Sequence, residues 1–252
     1  MNSSSLALRK LTARSAILSV LLGAHPAEAP AGWIVQFGAE LGIQESAIRV
    51  ALTRMLAAGD LERRGSTYRL SERLIARQRR QDGALWPNQT EWNGEWRLAV
   101  TTVTAHDSTE RAALREILQN AKFGELREGV WTRPENLSTK LPQVACRRLT
   151  QFTGRPAEPA DELAELLFRP RQWAARANEL LVALSERTSI PDGFAVAAAT
   201  VRHILDDPVL PEQLLPEPWP GSELRRVYEG FRSEFTEYAE ILLARANGLG
   251  AS

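Results

Sequence analysis

QESAIRVALTRMLAAGDLERRGSTYRLS, residues 44–71, is the stretch on which the fold turns. Its first half sets Ile48, Ala51, Leu52, Met55 and Leu56 at the i, i+3, i+4, i+7 spacing of one helical face. The opposite face carries Ser46, Arg49, Val50 and Thr53, with Arg54 at its edge. Gly59 closes this helix, and two short strands follow around Gly65-Ser66, with Arg63 and Arg64 near the hairpin tip and Arg69 on the way out. Upstream, residues 33–41 read as a short helix ended by Gly42, whose tolerance of positive φ suits a sharp turn between two helices. Residues 23–32, GAHPAEAPAG, are a loop by their Pro and Gly content. Before them, Ala13, Ile17, Val20 and Leu21 lie at helical spacing. Helix, loop, helix, glycine turn, helix, basic hairpin is the order of a winged helix-turn-helix.

The exposed face of that third helix has the chemistry for a major groove. Arg can fork onto guanine, Ser and Thr can bond to bases or backbone, and Val can touch a thymine methyl. Arg63 and Arg64 at a wing tip would lie along phosphates, adding affinity with little sequence choice. The charge distribution agrees. The chain is neutral overall, yet residues 1–80 hold twelve Lys and Arg against six Asp and Glu, leaving nineteen basic and twenty-five acidic residues behind them. A basic module on an acidic body is expected when only one part faces nucleic acid.

The remainder of the 252 residues reads as α+β and helix-rich. Residues 71–90, including RLIARQRRQ, read as a domain linker. Residues 96–104 form a β-rich run, 108–121 an amphipathic helix, 123–134 two strands around Glu128-Gly129, and 144–152 a further strand. Strand–helix–strand–strand in so few residues suggests a small ferredoxin-like domain. Helical periodicity dominates from about Pro156, at 161–167, 173–185, 192–205 and 222–246, with a proline-rich connector at 206–221. The expected division is a winged helix-turn-helix at 1–80, a ferredoxin-like domain at 81–155 and a helical effector and dimerisation domain at 156–252.

Other features bound the function. Cys146 stands alone, so no internal disulfide or cysteine-rich zinc site is available. Arg9, Lys10 and Arg14 before the apolar run 16–22, with AEA at 27–29, imitate a secretory signal, but the run is short and the helix-turn-helix needs it as a packing partner. No run approaches the length of a membrane span, and the expectation is a cytoplasmic protein. Among seven tryptophans, Trp131, Trp173 and Trp219 are candidates for an aromatic effector pocket between domains, weighed against plain core packing. Arg133, Arg202 and His203 are candidates for an effector's phosphate or carboxylate, weighed against surface charge and helix capping.

Three separated stretches carry a family resemblance: SAILSVLLG with ESAIRVALTRMLAAGDLERRGSTYRLS; EWRLAVTTV with LREILQNAKFGELREGVWTRPENL; and DDPVLPEQLLPEPWPG, the most specific of them. The chain resembles the phenylacetic-acid repressor (PaaX-type) family of bacterial regulators, whose central domain is similar to a CRISPR-associated small nuclease. The resemblance implies a homodimeric repressor on operator DNA, released by an aryl-acyl-CoA or related small effector, with no cofactor. By position it puts Ser46, Arg49, Thr53 and Arg54 in the recognition helix and Arg63 and Arg64 in the wing. The chain departs from the family in the Ala-rich helix AVAAATVRHIL before the connector, where a more basic helix is expected, and in a less basic wing. The alternative from another class is a metal-dependent nuclease using the central domain. Asp107 is the only acid close after the first central strand and His106 adjoins it, but no tight acidic pair accompanies them. No phosphate-cradling loop, nucleophile elbow or paired His motif is present, and the expectation is a non-enzyme.

Overall fold

The computed structural model describes residues 11–102 and 108–248, which form two compact units. Unit 1 comprises residues 1–86, 176–205 and 220–252; unit 2 comprises residues 87–175 and 206–219.

Unit 1 begins with α1 (Ala13–Gly23), β1 (Glu28–Pro30), α2 (Ala31–Glu40) and α3 (Glu45–Ala57). Thr12 and Ser15 cap α1 reciprocally, each side chain bonding the other's backbone amide. The turn between α2 and α3 closes on Gly42 at φ +70°, with the Ile43 amide donating to the Gly38 carbonyl at 2.9 Å. β2 (Leu61–Arg64) and β3 (Thr67–Leu70) form the hairpin, and β1 adds to β3 to give a three-stranded antiparallel sheet ordered β1-β3-β2. The loop expected at 23–32 therefore contains a strand: its prolines are compatible with an edge position, where a missing amide costs no ladder bond.

The segment read as a linker is a helix, α4 (Glu72–Leu85). Its buried positions are Leu74, Ile75, Gln78, Gln81 and Leu85. Two of the five are glutamines, so a hydrophobicity count misses a true helical face. Gln78 Nε2 lies 2.7–3.3 Å from the carbonyls of Leu21, Leu22 and Ala24, closing the C-terminal end of α1. Asp60, 3% exposed at the end of α3, receives Arg14 at 2.8 Å and Arg73 at 2.5 Å, tying α1 and α4 to that corner.

Unit 2 holds β4 (Trp96–Thr101), α5 (Ser108–Asn120), β5 (Gly124–Arg127), β6 (Val130–Pro134), a single turn α6 (Gln143–Cys146), β7 (Leu149–Gly154) and α7 (Ala160–Phe168). The sheet is antiparallel throughout and ordered β5-β6-β4-β7, the ferredoxin-like order, with α6 standing where the second helix would be. On one face Ala99, Trp131 and Leu149 pack with Leu114 and Leu118 of α5. Elsewhere Trp96 packs with Ala164 of α7 and with Leu210 and Leu214 of the proline-rich segment. That segment is ordered by a 3-10 turn at Glu212–Leu214 and by Asn136 Nδ2, which donates to the Val209 carbonyl at 2.9 Å.

The chain passes from unit 2 to unit 1 within α8 (Pro170–Ser185), then builds α9 (Ile190–Leu205) and, after the proline-rich segment, α10 (Gly221–Gly248). These late helices share a core with the helix-turn-helix. Phe37 of α2 sits edge-on to Phe194 of α9 and Phe235 of α10, with ring centroids 5.0 and 5.5 Å away, and stacks on Trp33. Trp33 Nε1 donates to the Ala239 carbonyl at 3.2 Å. No described helix is long and apolar enough to cross a membrane.

Candidate nucleic-acid interface

α3 buries Ile48, Ala51, Leu52 and Met55 against unit 1. The spacing that buries these four turns Ser46, Arg49, Val50, Thr53 and Arg54 outward, and all five are exposed. Val50, at 49% exposure, is a large apolar side chain left in water on this face. Arg49 is held by Glu45 one turn earlier, with Nε 2.7 Å from Oε1. Thr53 Oγ1 donates back to the Arg49 carbonyl at 3.0 Å. Glu45 therefore occupies the guanidinium of Arg49 in the free protein, and any phosphate or base edge must compete with it.

On the hairpin, Arg63 folds over the turn. Its Nε donates to the Gly65 carbonyl at 2.8 Å and its guanidinium lies 5.9 Å from the Tyr68 ring centroid. Arg64 reaches Glu62 only at 3.9 Å, and both are exposed. Gly65, at φ +61°, makes the tip. α4, which follows directly, adds exposed Arg73, Arg77, Arg79 and Arg80. The expectations above left these four in a linker. The signal that would have found the helix is the spacing of Leu74, Gln78, Gln81 and Leu85 once glutamine is allowed an inward position.

The other sequence-stretch candidates fall in both units. Trp131 is 4% exposed in the core beneath α5, with Arg115 over its ring at 5.5 Å. Arg133 is 2% exposed and spends its donors on the carbonyls of Pro134 and Ala121 and on Asn136 Oδ1, all at 2.9–3.0 Å. Burial pulls its pKa down to about 10, with the nearby Glu135 opposing. Trp173 and Trp219 stack at 4.5 Å within unit 2. Arg202 and His203 lie on the last turn of α9 in unit 1. The two central residues of the nuclease alternative, His106 and Asp107, lie outside the described residues. Among the described residues no three ligating side chains gather as a metal site.

Comparison with known families matches residues 12–74 to the PaaX-like protein family, 89–157 to the PaaX protein central Cas2-like domain and 162–245 to the PaaX-like protein C-terminal domain. The chain belongs to the PaaX-like family. An uncharacterized protein from Mycobacterium tuberculosis has a solved structure 46% identical to this PaaX-like chain, at a TM-score of 0.76, covering 92% of this chain and 99% of that one. No curated protein matches at a significant level. PaaX-like proteins are regulators, and this chain is one by membership. The nuclease alternative gains no support.

Proposed function

We propose that this PaaX-like regulator is a sequence-specific, DNA-binding transcriptional repressor that acts as a homodimer and is released by an aromatic acyl-CoA or a related small effector. One observation carries the reading: α3 leaves Ser46, Arg49, Val50, Thr53 and Arg54 in solvent beside a hairpin tip with Arg63 and Arg64. That is one buried face, one free cationic face and a basic hairpin next to it, as groove recognition by a winged helix requires. In a dimer, two such helices would meet successive major grooves about 34 Å apart on a near-palindromic site. Arg54 has no ion pair among the described residues, so it is the side chain most available to a base edge or phosphate.

The test starts from duplexes selected out of a random pool by the purified protein and then measured by fluorescence anisotropy. Specific duplex is expected to bind at least a thousandfold tighter than scrambled duplex, with affinity falling steeply as salt rises. Arg54→Ala should cost about 1–3 kcal/mol on the selected site and leave the oligomer unchanged in sedimentation. No enrichment from the pool, or equal affinity of Arg54→Ala for selected and scrambled DNA as wild type, overturns the reading.

A further inference from the structure

Around α3 the residues most remote from the core form a narrow uncharged strip. At 3.6 residues per turn, Ser46, Val50, Thr53 and Ala57 fall within about 60° of one another around the helix, and all four are exposed. The buried Ile48, Ala51, Leu52 and Met55 lie on the opposite side. Arg49 and Arg54 flank the strip, each about 70° from its centre line, and both are exposed. The side chains of the strip are short, and three of the four carry methyl groups. Val50 offers two of them at 49% exposure. Thr53 Oγ1 spends its proton on the Arg49 carbonyl at 3.0 Å, so what it keeps for a partner is a methyl group and a lone pair. The midline of the face is therefore apolar, and its charge stands on the two flanks.

We infer that this strip reads thymine by its C5 methyl group, with Val50 as the side chain that determines the choice. Thymine alone among the four bases shows an apolar group in the major groove; the other groups there are hydrogen-bond donors and acceptors. Short side chains along the midline let the helix come close to the base edges. The guanidiniums on both flanks, with Arg63 and Arg64 on the hairpin that follows, match a polyanion as the occupant of this face. The inference rests on the DNA-binding reading above and deepens it by naming a base and the group on it. Burying one methyl group is worth roughly fourfold in affinity. The contact is apolar, so the preference it creates persists as salt rises, while the phosphate contacts weaken.

The test uses the full-length protein and a duplex it has selected from the random pool. Each thymine of the selected site is replaced in turn by deoxyuridine, which keeps the base pair and lacks only the C5 methyl group. Wild type is expected to lose about fourfold in affinity at one thymine of each half-site and to be indifferent to the replacement at thymines away from it. Val50→Ala should bind the thymine and deoxyuridine duplexes alike at that position, its affinity matching that of wild type for the deoxyuridine duplex. Arg64→Gln serves as the phosphate control: it should weaken both duplexes equally and keep the preference for thymine. The ratio between the two duplexes should hold for wild type when salt is raised enough to lower both affinities. The inference is overturned by a selected half-site without thymine, by indifference to deoxyuridine at every position, or by a full thymine preference in Val50→Ala. Val50 is exposed, so the variant is expected to unfold in urea as wild type does. A protein that selects no duplex at all fails the repressor reading and takes this inference with it; one that selects a duplex but ignores the methyl group fails here alone.

Discussion

At Gly38 of α2 the backbone lies close against Ile48 of α3. A Cβ placed there would lie 2.8 Å from both Cδ1 and Cγ1 of Ile48. Gly38→Ala gains up to about 1 kcal/mol in helix propensity, but overpacking against a 1% exposed core side chain costs about 1–3 kcal/mol. We expect net destabilisation in urea unfolding, partly recovered by Ile48→Val in the double variant. A stability at or above wild type for Gly38→Ala would show that Ile48 can yield. A second residue, Tyr228, is buried at 5% exposure, and burial first of all pushes its phenol up to about 12 from the ordinary 10.0. The folded value lies above the unfolded one. The neutral phenol's contribution is therefore intact below about pH 10 and lost as pH climbs towards about 12. The ultraviolet titration of wild type minus Tyr228→Phe should show one phenol ionising near 12; a midpoint at the ordinary value would mean the ring is solvated.

Among the elements, α4 and the proline-rich segment are the ones whose roles come from single polar side chains. In α4, Gln78 satisfies carbonyls at the end of α1, which explains a helix with few apolar positions. In the proline-rich segment, Val209 is held at φ +54°, a costly backbone for a β-branched residue. Asp207 Oδ1 accepts its amide at 2.7 Å, and Asn136 Nδ2 donates to its carbonyl. Asn136, 1% exposed, also accepts from Arg133, so one amide joins β6 to this segment. Asn136→Ala leaves a buried guanidinium donor and a carbonyl without that partner, at a cost of about 1–3 kcal/mol. Differential scanning calorimetry should show the loss, and hydrogen exchange should rise at residues 207–215; unchanged exchange there would place the anchor elsewhere.

In the whole molecule, the helix-turn-helix is part of a larger unit. Trp33, Phe37, Phe194 and Phe235 are each 5% exposed or less, and they come from helices nearly two hundred residues apart in the chain. A fragment of residues 1–86 would expose Trp33 and Phe37, losing on the order of 1.5–3 kcal/mol per fully buried side chain. It is expected to be poorly dispersed in proton–nitrogen correlation spectra and prone to aggregation, whereas the full-length protein is expected to be well dispersed and free of aggregates. A well-dispersed monomeric spectrum of the fragment would refute that dependence. The helix-turn-helix itself was legible because its signals are local. Apolar side chains three and four apart choose the inward face of α3, and Gly42 and Gly65 sit where the backbone needs positive φ. The same logic exposed Ser46, Arg49, Val50, Thr53 and Arg54 without reference to any other part of the chain. The alternation of strands around α5 suggested a ferredoxin-like domain from equally local signals, while the order β5-β6-β4-β7 came from pairing between distant strands. α4 escaped because its inward positions include glutamines, whose burial depends on carbonyls elsewhere in the fold. The shared core of early and late helices arises from packing between distant segments. Periodicity says which face of a helix is buried but carries no address for the surface that buries it.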